Sequence, residues 1–479
     1  MTTRPHRLHC FFFDHLEYLF VTLLFVGVFY LAFTHGSYSQ AYSSRLADPD
    51  YYANLIFDDS RIHSINLSIS GDDWQNLHDD FREKSKYHAT VTIDGETFSD
   101  VSFSARGNGS LGDVHREGHP DRSNYTINFK KFNSKLSYHG LDKLVLSGLY
   151  FEPSYLRTYL SFRLMAQAGA DVPLSAFTKF YVNGEYKGLF LAIEAVDQSF
   201  LARTSHDSSA TLFHPIPYNV DWDRIYADSK LLADPSTLDP DAHPGSSFNT
   251  YGGSDLVYRG DDPASYDSIF LNASTKYSQA DVSFVISGIE SLSGYSLNNP
   301  TDYWDVGSII RFFAAATLAP NSDSYLGSLA QNYYLRLANG KLSMIPWDYD
   351  RALKIDGFSP DPQADDPLLT WPIDSPTIAT EPSSRPLWTL VADNPAYLEA
   401  YHSTIQSALD NYLLPGAAAQ DLDTAAALIR SSVYSDPTRH YSTEQFENEV
   451  AYLHTYLALR TDSLQKQLWN LSPRTREEN

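Results

Sequence analysis

Residues 332–350, Asn-Tyr-Tyr-Leu-Arg-Leu-Ala-Asn-Gly-Lys-Leu-Ser-Met-Ile-Pro-Trp-Asp-Tyr-Asp, decide how this chain is read. Asn339-Gly340 is a two-residue hairpin turn signal, because both central residues of the favoured turn need positive φ. The turn predicts antiparallel strands over 333–337 and 342–346. Their open end brings Asn332 beside Trp347 and Asp348, with Asp350 just beyond. An amide oxygen and two carboxylates then converge where one strand starts and its partner ends. Oxygen ligands of this kind suit a hard cation such as Mg²⁺, which takes one or two carboxylates and fills its shell with water and phosphate oxygens. The plainer reading is a solvated strand end carrying polar residues.

The surrounding chain is large enough to support such a site. Its 479 residues are 43% hydrophobic and 14% aromatic, ample for one large elaborated domain or two compact ones. The formal net charge is -24. So acidic a surface repels nucleic acid and anionic lipid headgroups, and argues against either as a general partner. A nucleotide is still admitted, since Mg²⁺ and a few Arg or Lys side chains can meet its charge locally. Cys10 is the single cysteine, which excludes an intrachain disulfide and a Cys zinc site.

Residues 19–33 form a run without a charged side chain, preceded by Arg4 and Arg7. The run is long for a signal-peptide apolar region and short for a membrane span. Ser39-x-Ala41 follows as a small-residue cleavage signal. Residues 1–40 are therefore expected to direct export, as a cleaved signal or as a single N-terminal membrane anchor. Residues 41–57 read as a linker.

From 58 to 204 the text alternates strands and turns. Strands are expected at 65–69, 89–93, 102–106 and 125–129, with helices at 72–81 and 153–168. A second hairpin pairs 178–182 with 186–194 around Asn183-Gly184. Residues 205–262, rich in Asp, Pro, Ser and Gly, read as a loop-rich insertion, lid-like or simply a surface excursion. Residues 263–470 carry the first hairpin and helical patterns at 309–318, 395–413, 417–432 and 443–469. Residues 471–479 form a tail.

Several constellations could carry chemistry. Arg106-Gly107-Asn108-Gly109-Ser110 follows a strand with a glycine turn whose N–H groups could nest phosphate oxygens. Glu194 ends an apolar run, either at a sheet edge in water or paired with a cation in a cleft. Asp323 sits in a loop nine residues before Asn332, where turn capping is its ordinary job. One Asp for an attacking hydroxyl, with an Asn and an Asp for metal, is a set that phosphoryl transfer uses. His115 and His119 are four apart beside Glu117, but Gly118 and Pro120 argue against the helix a zinc site would need. The chain contains no P-loop motif and no serine-hydrolase elbow.

In this order and spacing the motifs resemble the CotH family, the spore-coat-protein-H kinases and their relatives. The resemblance spreads over most of residues 58–470. It rests on Asp72-Asp73-Trp74, the segment from Val101 to Ser110, and Arg122-x-x-Tyr125. It continues with Tyr181-Val182-Asn183-Gly184-Glu185-Tyr186-x-Gly188 running to Glu194, then Asp323 and Asn332-Tyr333-Tyr334. The most specific element is Pro346-Trp347-Asp348-Tyr349-Asp350.

The resemblance implies an α+β, atypical protein-kinase-like fold with a sheet-rich N-terminal lobe and a mainly helical C-terminal lobe. ATP and Mg²⁺ would lie between them, and an unidentified protein substrate would receive the γ-phosphoryl group on a hydroxyl. By matching position Asp323 resembles the catalytic-loop Asp, and Asn332 and Asp348 the metal-binding pair, with Asp350 nearby. Arg106, Gly107, Asn108 and Gly109 resemble the phosphate-facing segment, and Glu194 the small-lobe acid. Arg122 stands where the family usually has Lys, which changes hydrogen-bond geometry at an expected nucleotide contact. The stretch Arg351-Ala352-Leu353-Lys354 replaces a segment that usually contains Gly. A non-catalytic surface or adhesion protein retaining the fold is the alternative, and a nucleotidyl transferase is a further one.

Overall fold

The computed structural model describes residues 51–205, 207, 209–217, 252–354 and 368–471. The chain divides into two compact units, Met1–Leu55 and Ile56–Asn479. The described part of the first contains a single helical turn, Tyr52–Leu55. The expected export segment at 1–40 lies outside the described residues, as do most of the expected linker, the middle of the 205–262 insertion and residues 472–479 of the tail. Among the described residues, no helix is long and apolar enough to cross a membrane.

The second unit begins with strands β1 (His63–Ser68), β2 (Tyr87–Ile93), β3 (Glu96–Arg106), β4 (Asn124–Asn128), β5 (Lys143–Ser147), β6 (Ser175–Val182) and β7 (Glu185–Glu194). They close into a barrel in the order β1-β2-β3-β4-β5-β7-β6. Closure is made by the parallel pairing of β1 with β6, which places Ile65 opposite Phe180. Side chains alternate between the two faces of each strand. One set, including Val101, Phe103, Tyr125, Ile127, Phe180 and Phe190, is buried. Phe103 lies 4.9 Å from Tyr125 and Phe180 lies 5.1 Å from Phe190, centroid to centroid. The other set on β3, β4 and β5 is polar: Ser102, Ser104 and Arg106, then Asn124, Thr126 and Asn128, then Lys143 and Ser147. These residues line a cleft.

Helices α1 (Gly71–Asp79), α2 (Gly109–Arg116) and α3 (Arg157–Gln167) interrupt the barrel strands, and α4 (Gln198–Thr204) follows them. Next comes a small sheet in the order β10-β9-β8, from β8 (Thr211–Phe213), β9 (Tyr333–Ala338) and β10 (Lys341–Pro346). The expected turn is present, with φ of 51° at Asn339 and 69° at Gly340. Its register sets Leu342 against Leu337 and Pro346 against Tyr333.

The remainder is helical: α5 (Gln279–Glu290), α6 (Val306–Leu318), α7 (Pro386–Ala392), α8 (Pro395–Ala408), α9 (Ala417–Tyr434) and α10 (Thr443–Leu471). α6 is apolar on nearly every side, so it runs through the core, where α3 and α8 pack against it. Asp305 caps it, its Oδ1 accepting from the Ser308 amide at 3.0 Å. The fold is thus mixed α/β, sheet-rich at its N-terminal side and helical at its C-terminal side.

Two departures from the sequence reading concern the barrel. β5 reads Lys-Leu-Val-Leu-Ser and has no alternating pattern, because Leu144, Val145 and Leu146 are all buried. α2 extends through His115 to Arg116, so the first histidine of the 115–119 pair is helical and the second is not. His115 stacks on Phe81 at 3.9 Å, and His119 packs 4.6 Å from His440.

Candidate active site

The polar outer face of the barrel forms one wall of a cavity of about 540 Å³, and the open end of the β9–β10 hairpin forms the other. The barrel wall contributes Lys84, Lys86, Arg106, Lys131 and Lys143, and the opposite wall contributes Asp323, Asn332, Asp348 and Asp350. A cation-rich wall therefore faces a carboxylate-rich one, in a protein whose overall charge is strongly negative.

The acidic wall is held by its own hydrogen bonds. The Trp347 amide donates to the Asn332 carbonyl at 3.0 Å, continuing the hairpin ladder to its last residue. Asn332 Nδ2 donates to the Asp323 carbonyl at 2.6 Å, which leaves Asn332 Oδ1 as the acceptor free of that bond. Asn321 Oδ1 accepts from the Asp323 amide at 2.9 Å, and Asn321 Nδ2 donates to the Asp348 carbonyl at 3.3 Å. Gln331 Nε2 donates to Asp323 Oδ1. Asn332 and Asp348 both sit in the left-handed region, with φ of 59° and 57°. Asn and Asp tolerate that region better than other side chains, and non-glycine residues held there concentrate at functional sites.

Asp348 is exposed, and its carboxylate opens onto the cavity. Low-dielectric surroundings, with the charges of Asp350 and Asp323, push its carboxyl well above the usual carboxylate range, against Arg106 and Arg351. Because water reaches the group through the cleft, the repulsion among carboxylates is the more durable part of that shift. A bound cation would relieve it. Among the described residues, no three His, Cys, Asp or Glu side chains are grouped tightly enough to hold a metal unaided. Asp348, Asp350 and Asn332 Oδ1 instead make a partial oxygen set that fits Mg²⁺, whose other positions are commonly water and phosphate.

Arg106 is braced across the cleft. Its guanidinium lies 5.0 Å from the Trp347 ring and hydrogen-bonds the Tyr334 hydroxyl. Tyr334 packs edge-on to Trp347 at 5.7 Å and stacks on His214 at 4.2 Å. Burial, with Arg106 nearby, holds the His214 imidazole down to about 3, so the stack is neutral at pH 7. Directly after Arg106, Gly107, Asn108, Gly109 and Ser110 line the cavity at the N-terminus of α2. Asn108 Oδ1 makes no cap bond and instead accepts from Lys84 Nζ at 2.7 Å. The first amides of α2 therefore keep their anion-binding capacity beside a lysine.

Two expected residues lie elsewhere. Arg122 does not line the cavity; it is buried behind the barrel against Asp436, at 3.1 Å, and the Leu189 carbonyl. Glu194 is fully buried and grips Arg203 with both oxygens, at 2.6 Å for the closest pair. It also accepts from the Leu174 amide at 3.1 Å. The expectation of a water-exposed edge is corrected: β7 pairs on both sides, and its end is covered by α4. Lys84, Lys86, Lys131 and Lys143 were not anticipated. No local pattern flagged them, since β5, which carries Lys143, does not alternate.

The fold and site define a mixed α/β protein in which a barrel and a helical part enclose a cleft of opposed charge. Residues 103–464 match the family described as CotH kinase protein, and the chain belongs to the CotH family. It is 22% identical over 353 residues to the inner spore coat protein H of Bacillus subtilis (strain 168), covering 72% of this chain and 86% of that protein.

Proposed function

We propose that the protein is an exported CotH-type phosphotransferase that passes the γ-phosphoryl group of ATP to a protein hydroxyl. The observation that supports this reading most directly is the meeting, in one cavity, of Arg106 and the α2 N-terminus with Asp323, Asn332, Asp348 and Asp350. On this reading the barrel is the small lobe and the helical part the large lobe of an atypical protein-kinase-like fold.

Arg106, Lys84 and the α2 amides would bind the phosphates, and Val145, Ile193, Pro215 and Ile216 give an apolar lining for the base. Asp348, Asp350 and Asn332 would hold Mg²⁺, which supplies charge neutralisation at the phosphates when bound. Asp323, fixed through Gln331 and Asn321, orients the acceptor hydroxyl and accepts its proton as the oxygen attacks. Such a site works by placement and by charge set in advance, with few groups. Export rests on residues 1–40 and on the Bacillus relative being named for a spore coat. The non-catalytic alternative drew on Arg122 and on the Arg351-Ala352-Leu353-Lys354 stretch. Arg122 stands outside the cavity, so its identity has no bearing on nucleotide contact, whereas Arg351 lines it.

The test follows label from γ-labelled and α-labelled ATP into protein with Mg²⁺ present. The expected result is incorporation from the γ position only, reduced by about a hundredfold or more in Asp323→Ala and in Asp348→Ala. Incorporation from the α position would replace phosphoryl by nucleotidyl transfer. Absence of ATP binding to the unaltered protein would sink both catalytic readings.

A further inference from the structure

Beside the cleft lies a second cavity of about 600 Å³, which shares Asn128, Lys131 and Lys143 with the first and adds Lys130 and Lys276. Its other polar lining includes Ser274 and Thr275. Two carboxylates enter it, and each faces a lysine. Asp142 meets Lys130 at 2.7 Å, and Asp197 Oδ2, which makes no hydrogen bond, lies 4.0 Å from Lys143 Nζ. Lys131 and Lys276 have no carboxylate partner among the described residues.

The strand register fixes where this cavity stands relative to the acidic wall. Arg106 is opposite Asn124 at one end of β4, whereas Lys143 is opposite Asn128 at the other. Four residues of antiparallel strand separate those ends by roughly 13 Å. A triphosphate held by Arg106 and the α2 amides is therefore at the wrong end to neutralise Lys131, Lys143 and Lys276. Lys131 and Lys143 also bear on neighbouring Lys86 of the first cavity, whose ammonium pKa is lowered by burial first, then by Lys131, Arg106 and Lys143. A cavity that gathers cations with too few anions becomes more stable when an anion enters it.

We infer that the second cavity is an oxyanion site, taking a phosphate or carboxylate group distinct from the triphosphate of the nucleotide. The inference rests on the proposed placement of that triphosphate at the Arg106 end. A free phosphate compound and the acidic side chains of an acceptor polypeptide share the required chemistry.

Calorimetric titration of the purified protein at low ionic strength with MgATP, inorganic phosphate and a hexaglutamate peptide tests it, beside Lys276→Glu and Lys276→Gln. Lys276 is exposed and lines only the second cavity, so these variants leave the fold and the proposed nucleotide contacts in place. At saturating MgATP, phosphate or hexaglutamate is expected to bind the unaltered protein. Lys276→Glu should weaken that binding by roughly fivefold or more and Lys276→Gln by less, with MgATP affinity unchanged. Binding of phosphate that displaces the peptide assigns the site to a free phosphate compound; binding of the peptide alone assigns it to an acidic polypeptide. Failure of both probes to bind, equal binding in Lys276→Glu, or parallel loss of MgATP overturns the inference. Failure of MgATP alone refutes the phosphotransferase reading, while the probe titrations still report on the second cavity.

Discussion

Arg122 is 1% exposed, and its guanidinium is enclosed by the Tyr155 and Phe190 rings, the Leu189 carbonyl and Asp436. Asp436 Oδ2 in turn accepts from the Leu189 amide at 2.8 Å, so one carboxylate binds both the cation and β7, whose Leu189 carbonyl also accepts from that cation. Removing one partner of such a pair strands the other charge in a low-dielectric interior. Arg122→Ala is expected to lower stability by about 3–5 kcal/mol, read as a shift of the urea midpoint. ATP affinity of the folded fraction should be unchanged. An affinity loss larger than twofold under folding conditions would return Arg122 to the nucleotide site. Asp323, Asn332 and Asp348 could be found from their spacing around one turn signal. Glu194 and Arg122 could not be placed, because a buried charge and a cleft charge look alike until their partners are known. Those partners, Arg203 and Asp436, are separated from them by 9 and 314 residues.

The β6–β7 hairpin shows what a single element demands of its sequence. Gly188 lies on β7 with φ of 119°, and a Cβ there would come within 2.5 Å of Asp436 Oδ1 and 2.8 Å of Arg122 Nη1. The glycine is therefore what lets β7 approach the buried ion pair. Gly188→Ala is expected to cost about 2 kcal/mol or more, through both the left-handed backbone and the displaced pair. Thermal unfolding should show this as a lowered Tm, and an unchanged Tm would mean that the pair is not where the hairpin meets the helices. Hairpins were the most legible elements, since Asn183-Gly184 and Asn339-Gly340 announce turns that need positive φ. The long amphipathic helices α8, α9 and α10 were equally plain from their periodicity. β5 is short and buried through its middle, and β8 spans only Thr211–Phe213, so neither offered a pattern. Barrel closure through β1 and β6 joins residues more than a hundred positions apart. No local signal encodes that pairing.

At the scale of the whole molecule, the cleft is a product of closure rather than of any one motif. Lys84, Lys86, Arg106, Lys131 and Lys143 come from separate strands and loops and meet only because the barrel presents them on one outer face. The same architecture buries ionisable groups with opposite consequences for acid stability. Burial holds His115 down to about 4 and His214 down to about 3, so the folded state loses stability as pH falls below the usual imidazole range. Burial pushes Asp197 up to about 7, with Asp142 and Glu194 adding to it and Lys143 opposing. For that carboxyl the sign reverses. Below about pH 4 it is protonated in both states; between about 4 and 7 the unfolded chain ionises while the folded one keeps its proton, so stability declines as pH rises. Asp197→Asn removes this titration while its side-chain oxygen can still cap α4 at the Ser199 amide, now 2.9 Å from Asp197 Oδ1. The histidines are common to both proteins and cancel in the difference. The stability of Asp197→Asn relative to the unaltered protein is therefore expected to rise between pH 4 and pH 7 by on the order of 2–4 kcal/mol, and then to level off. Paired denaturant titrations across that range measure it. A difference that is flat with pH, or that falls, would show that Lys143 keeps Asp197 ionised, and that the two act as an ion pair at the mouth of the second cavity.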